Sequence, residues 1–285
     1  MHDSDSGQVK GRWSTVFWLL RRLLHIDGCS GIHRVENGAS MLKKPCLRPV
    51  LCENALNLHQ SASVGKTLVM GRLQRGFSVV DLATYAVKAQ EVIEAGQFLF
   101  AEGWSPATSS NYSARIDGEH LAITVSGKHK GRLQAGDIMV VDLQGDPVQS
   151  TLKSSAETLL HCVLYDWRDD IGAVLHTHSV AATVLSRALV GKSELVLCDY
   201  ELQKAFPGID THEGELRIPI FENTQDIDAL SAESLAYLQQ HPNTPAYLIR
   251  GHGLYTWGVT MADTLRHIEA MEFLMACELK ALSLR

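Results

Sequence analysis

Residues Ile171-Gly-Ala-Val-Leu-His176-Thr-His178-Ser179 decide how the chain is read. Four of the five residues before His176 are apolar, which fits a strand covered on both faces. Side chains alternate along a strand, so His176 and His178 point to one face at its end. Two imidazoles delivered there by a rigid scaffold suit a divalent transition metal. By itself a His-x-His pair is more often structural than ligating. The rest of the chain must supply a third ligand, an acid/base group and a substrate pocket.

The chain has 285 residues, 45% of them hydrophobic and 20% charged, which are ordinary globular values. Its net charge of −6 hides an asymmetry. Residues 1–75 carry 11 Lys/Arg against 5 Asp/Glu, which leaves 15 against 27 for the remainder. So acidic a remainder is a poor partner for nucleic acid, whose phosphates need neutralising cations. An anionic substrate must be held by a local site against that field. Cysteines at 29, 46, 52, 162, 198 and 277 form no Cys-x-x-Cys pair. Neither a disulfide framework nor a thiolate metal site is expected, and a reducing compartment is the simpler reading. The apolar run Val16-Phe-Trp-Leu-Leu20 meets Arg21-Arg22 far short of the ~20 apolar residues of a membrane span. A soluble cytoplasmic protein without a membrane partner is expected.

Along the chain, residues 13–26 read as a basic amphipathic helix, after which glycines and prolines break any period. It is either a membrane-surface or partner-binding arm, or part of a poorly ordered extension over residues 1–77. The domain proper is expected over 78–285. Ser78 and Asp81 give a helix-start signature, followed by apolar Leu82, Ala86, Ala89, Ile93 and Phe100. Strands are expected at 112–116, 121–125, 138–143, 194–198, 216–221 and 246–249, besides the His-x-His strand. Helices are expected at 156–167 (capped by Ser154 or Ser155), 180–189, 227–240 and 261–282. This alternation predicts an α/β fold, a mixed sheet with helices on both faces.

His252, in Arg250-Gly-His-Gly-Leu-Tyr255, is the third ligand candidate. It follows an apolar strand and lies between glycines that permit a tight backbone path. Three imidazoles leave a fourth position open, as in a catalytic rather than a structural zinc site. Two carboxylates are acid/base candidates. Glu157 opens a helix and could serve only its N-terminal turn; Glu201, in Asp199-Tyr-Glu-Leu-Gln203, could be a solvated carboxylate. Three polar stretches read as an anion cradle: Ala107-Thr-Ser-Ser110-Asn111, Ser126-Gly127-Lys-His129 and Ser154-Ser155. Each alone is more often a cap or a turn.

These residues together resemble the class II aldolase/adducin family over residues 81–280. The resemblance is carried by Gly103-Trp-Ser-Pro-Ala-Thr-Ser-Ser-Asn-Tyr-Ser-Ala114, Val125-Ser-Gly-Lys-His-Lys-Gly131, Leu175-His-Thr-His-Ser179, Tyr200-Glu-Leu-Gln-Lys204, His212-Glu-Gly214 and Ile249-Arg-Gly-His-Gly-Leu-Tyr-Thr-Trp257. It implies a three-layer α/β/α domain with a central mixed, largely antiparallel sheet. It implies one Zn2+ per subunit on His176, His178 and His252, and a homo-oligomer, expected to be a tetramer. Within the family the runs are most similar to the branch that dehydrates 5-methylthioribulose 1-phosphate in methionine salvage. Aldolase members show Ala-Gly-Asn where this chain has Ser109-Ser110-Asn111, which favours that branch.

The resemblance implies a phosphate held by Ser110, Asn111, Ser126, Gly127, Ser154 and Ser155. It splits the acid/base role: aldolase members use the position of Glu157, dehydratase members that of Glu201. Glu201 is favoured for proton transfer, with Glu157 close to the metal. Trp104, Tyr112 or Phe206 are candidates for the wall around the methylthio group. A sugar-phosphate aldolase or pentulose-phosphate epimerase stays open as an alternative, because the same metal site serves both. A non-enzymatic adducin-like scaffold ranks below both, since such relatives lack the metal histidines.

Overall fold

Strand and helix periods resolve into eight strands and five helices in the computed structural model, which describes residues 80–284. The basic stretch 13–26, the candidate cap Ser78 and the expected boundary at 78 lie outside those residues. In chain order the elements are α1 (Leu82–Ala101), β1 (Asn111–Arg115), β2 (His120–Thr124), β3 (Ile138–Asp142), α2 (Thr158–Trp167), β4 (Ala173–Thr177) and α3 (Val180–Ala188). They continue as β5 (Glu194–Leu197), β6 (Leu216–Phe221), α4 (Ile227–Gln240), β7 (Ala246–Ile249), β8 (Gly253–Gly258) and α5 (Met261–Leu282). The strands form one sheet in the order β3-β2-β1-β4-β8-β7-β6-β5. Only β6 and β7 run parallel. The fold is therefore α/β with three layers and a mixed, largely antiparallel sheet.

Strand alternation sorts the core into two clusters. Ala173 and Leu175 of β4 point to the side of α1, α3 and α5, with Ile268 and Met271 of α5 packed there. Val174 points the other way, to Leu160 and Leu164 of α2 and Leu230 of α4. By the same parity His176 belongs to the α2 face and Thr177 to the α5 face. Both are fully buried.

Helix starts are set by short polar side chains. Asp81 caps α1 by accepting from the Ala83 and Thr84 amides. The buried stripe of α1 includes Ala89 and Ile93 as expected and continues through Val92, Ala95 and Leu99, while Leu82, Ala86 and Phe100 are exposed. Helix α2 starts at Thr158, after Glu157. Ser155 does not cap it as expected, but accepts from the Glu157 amide at 3.3 Å and, through its carbonyl, from the Thr158 amide.

Strand β8 is not among the expected elements, yet it is central, paired with both β4 and β7. Its Leu-Tyr-Thr-Trp run has the β-branched and aromatic composition of a strand. The flanking glycines read instead as loop. At Gly253 an added Cβ would lie 2.0 Å from the Thr177 carbonyl oxygen and 3.0 Å from the His176 ring. Glycine there permits the close approach of the two strands. Gly253→Ala is expected to lower the unfolding midpoint at a cost of about 1–3 kcal/mol; an unchanged melting curve would contradict the packing.

Behind the His-x-His strand, Glu272 of α5 is 3% exposed and accepts from the Thr177 hydroxyl at 2.9 Å. Its Oε2 has no partner. Burial raises its pKa from the ordinary 4.5 to about 7, against the pull of its hydroxyl donors. The folded state therefore holds a proton that the unfolded chain releases near 4.5. Stability from this group is complete below that pH and declines until about 7. Glu272→Gln is expected to flatten this part of the stability–pH curve between pH 4.5 and 7, as followed by urea unfolding of metal-free protein. An identical curve would refute the assignment.

Candidate active site and metal centre

Strand β4 ends by delivering His176 and His178 to the α2 side of the sheet. The His178 amide donates to the Trp104 carbonyl at 2.8 Å, and Ser179 caps α3 by accepting from the Ala182 amide at 2.9 Å. The chain is thus pinned on both sides of His178. His252 sits in the turn between β7 and β8, where Gly251 has a φ of 67°. The Thr183 hydroxyl and the Ile249 carbonyl hold its backbone at 3.1 and 3.0 Å. Expected from separate parts of the chain, the three imidazoles meet at one place.

Their Nε2 atoms converge. Those of His176 and His178 lie 2.8 Å apart, and those of His178 and His252 3.2 Å apart. The Nδ1–H of His176 donates to the Leu254 carbonyl at 2.9 Å, which leaves Nε2 with a bare lone pair. Its ring also stacks on Tyr255, 4.0 Å between centroids. Burial, then its two histidine neighbours, hold His176 well below its ordinary pKa. Burial and His252 push His178 down to about 4. The three ring nitrogens lie close enough together to ligate one ion. The donor set therefore fits a divalent transition metal with an open position.

Glu157 faces that position. Its Oε1 lies 3.1 Å from His252 Nε2 and its Oε2 3.4 Å from His176 Nε2. Oε2 accepts from the Asn111 amide at 2.8 Å and from the Tyr255 hydroxyl at 2.9 Å. Asn111 is itself oriented: its Oδ1 accepts from His161 Nε2–H, so its amide must turn to Glu157. His161 is fully buried and pushed down to about 3 by burial, so it stays neutral. Its Nδ1 accepts from Ser113, 2.7 Å away, whose oxygen is 2.9 Å from the Tyr165 hydroxyl.

The three polar stretches also meet. Val125 bridges Ser154, and the Ser126 amide donates to the Lys153 carbonyl at 3.0 Å, which sets the Ser126-Gly127 turn beside Ser154-Ser155. Ser110, Asn111, Ser126, Gly127 and Ser155 line one cleft of about 220 Å³ together with Glu157 and His178. Ser110 is buried at a φ of 71°, and its hydroxyl has no partner.

Other expected residues lie elsewhere. Glu201 opens a 3-10 turn (Glu201–Ala205) after β5, four strand positions from β4 and thus on the order of 20 Å away at the usual strand spacing. Its side chain is 72% exposed and contacts Lys204 and His212, so the single chain does not bring it to the histidines. Tyr112 pairs with Leu175 on the α1 face, opposite the site, with its hydroxyl on Ser105. Phe206 is buried against His267. Neither can wall a substrate, and Trp104 likewise packs on the α1 face, edge-on to Phe98, with only its carbonyl meeting His178. Sequence reasoning missed Tyr255, His161 and Lys130. Tyr255 required β8 to be recognised, and its spacing from Gly253 would then have put it on the site face. For His161, buried among core residues of α2, no sequence signal distinguished it.

A model of the class II aldolase and adducin N-terminal domain matches residues 90–279. The methylthioribulose-1-phosphate dehydratase of Hahella chejuensis is 68% identical over 205 residues, which cover 72% of this chain and 99% of that protein. Those of Marinobacter nauticus and Pseudomonas aeruginosa PAO1 are 64% and 60% identical, over 99% and 95% of their lengths. Among solved structures, an L-fuculose 1-phosphate aldolase aligns at a TM-score of 0.59 and 22% identity, over 70% of this chain and 88% of that one. The L-fuculose-1-phosphate aldolase of Thermus thermophilus aligns at 0.56 and 24%, over 68% and 95%. These structures share the fold. Matched by the family model over most of its described residues and by relatives along nearly their whole length, the chain belongs to the class II aldolase and adducin family.

Proposed function

We propose that the chain is a lyase that dehydrates 5-methylthioribulose 1-phosphate to 5-methylthio-2,3-dioxopentyl phosphate, a step of methionine salvage. The observation that carries the reading is the shared cleft. Three converging imidazoles, a carboxylate and a lining of hydroxyls stand together, in a chain 68% identical to a protein of that name. A ketose 1-phosphate carries its phosphate one carbon from the carbonyl, which suits an anion cradle adjoining a metal site. We assign Zn2+, one per subunit, to His176, His178 and His252; it supplies Lewis-acid polarisation of the C2 carbonyl when bound.

The remaining steps are proton transfers by side chains. Removal of the C3 proton gives an enediolate of the ketose, hydroxide leaves C4 with a proton, and the resulting enol becomes the 2,3-diketone. Among the described residues, Glu157 is the carboxylate that faces the three imidazoles. Two hydrogen bonds to Oε2 leave its Oε1 turned to the open position, so we assign it the C3 proton. Glu201 takes the acid role at C4 from a neighbouring copy. Its side chain is 72% exposed on the single chain, which leaves it free to reach a neighbouring copy. A homo-oligomer, a tetramer in our reading, follows from this assignment. Ser110, Asn111, Ser126, Gly127, Ser154 and Ser155 form the phosphate cradle, with Asn111 also orienting Glu157. We take residues 78–285 as the catalytic domain in the cytoplasm, with 1–77 as an extension to it. No helix of the described residues is long and apolar enough to cross a membrane.

Zinc-loaded protein incubated with 5-methylthioribulose 1-phosphate is expected to form the diketone, to lose that activity on chelation and to regain it with zinc. Retro-aldol products without diketone would overturn the reaction. Metal analysis showing no zinc, with His176→Ala unchanged in activity, would overturn the site. The two carboxylates separate by isotope exchange in heavy water. Glu157→Gln should lose C3 proton exchange, while Glu201→Gln should retain exchange and lose elimination, each by about 100-fold or more. The opposite pattern would swap their roles.

A further inference from the structure

Lys130 opens a 3-10 turn (Lys130–Arg132) just after Ser126-Gly127 and is 1% exposed. Its ammonium donates to the carbonyl oxygens of Lys128 at 2.8 Å and Thr108 at 3.4 Å. Both acceptors are neutral. Lys128, two residues earlier, has Asp137 at 2.8 Å, whereas among the described residues no carboxylate pairs with Lys130. A buried cation without a counterion is costly and persists when something else supplies the charge. Burial alone lowers its pKa, to about 8.

Lys130 lines the same cleft as Ser110, Asn111, Ser126, Gly127 and Glu157. A second unpaired group stands there, the buried Ser110 hydroxyl, on a backbone held at positive φ. Gly127 has open space where a Cβ would be, so the turn borders the cleft rather than protein. A lone ammonium and a lone hydroxyl beside an open glycine turn are complementary to a group with several acceptor oxygens and negative charge.

We propose that Lys130 is the buried countercharge for the substrate's phosphate, making the cleft selective for a phosphorylated ketose over the free sugar. This rests on the reaction proposed above. It answers the charge problem of the chain: with 27 Asp/Glu against 15 Lys/Arg beyond residue 75, the overall field opposes an anion. One desolvated cation at short range overcomes it. The competing role is a clamp in which the ammonium only ties the Thr108 and Lys128 loops together.

The test compares Lys130→Met with wild-type full-length, zinc-loaded protein. The KM for 5-methylthioribulose 1-phosphate and the inhibition constant of inorganic phosphate should rise together, by about tenfold to a hundredfold. The preference for the phosphorylated over the unphosphorylated sugar should fall by a similar factor. Zinc content should be unchanged, and Lys130→Arg should recover part of the loss. A phosphate inhibition constant and a preference within about twofold of wild type would overturn the proposal in favour of the clamp. Should Lys130→Met not fold, the Nζ resonance of Lys130 in wild-type protein decides: it should move on saturation with inorganic phosphate, and a stationary signal refutes the contact. A wild-type chain that makes no diketone would overturn the reaction, while the phosphate titration would still decide Lys130.

Discussion

Three imidazoles whose Nε2 atoms turn toward one another form the contact on which the architecture around the site depends. The contact is held in place by its surroundings. That hold is the pairing of β4 with β8. It supplies the Leu254 carbonyl that fixes the tautomer of His176 and the Tyr255 ring that stacks on it. The glycine at 253 lets the His252 turn close onto the end of β4. Alternation then sends Thr177 to the opposite layer, where α5 holds it through Glu272. The central strand is tied down on both faces, which fixes His176, while His178 and His252 are held in the segments that leave β4 and enter β8.

Glu157 is held by a chain of hydrogen bonds with one consistent direction. A neutral His161 has one donor and one acceptor nitrogen, and Asn111 has one amide face for each. Once His161 Nε2–H points at Asn111 Oδ1, the Asn111 amide can only donate onward to Glu157. Nδ1 of His161 then takes the Ser113 proton, and Ser113 accepts from Tyr165. The carboxylate oxygen Oε2 thus receives two donors, Asn111 and Tyr255, which fix how Glu157 is presented to the three imidazoles. A buried network in α2 and β1 orients a group at the surface of the cleft.

Much of this was legible in the sequence, for physical reasons that differ by residue. His176, His178 and His252 could be found because strand alternation and glycine flanks are local signals. The polar stretches could be found because hydroxyl and glycine clusters are rare between apolar runs. Strand β8 was hidden by those same flanking glycines, and with it Tyr255. Glu201 could be matched by resemblance but not placed, since the 3-10 turn that carries it follows β5 at the far edge of the sheet from the histidines, and strand order is a tertiary property. Tyr112 looked like a wall residue by bulk, but its register opposite Leu175 sends it into the core. One step of strand parity separates it from Asn111, which pairs with His176 and belongs to the site. Register is a tertiary property, and no side-chain count would have decided it.

The same contrast explains how an acidic domain can hold an anion. Surface carboxylates act through water, where charges are screened within about 10 Å at ordinary ionic strength. Inside the cleft the polar groups are desolvated, and their interactions are several times stronger at equal distance. A lone buried ammonium at Lys130 and an orphaned hydroxyl at Ser110 would therefore weigh more on a phosphate placed there than the net charge of the domain. Lys130 and His178 line the same cleft, so a ligand that carried both an anionic group and a metal-binding oxygen would engage its two ends together. Selection by such a cleft would depend on the spacing of those two groups and not on the net charge of the domain around it.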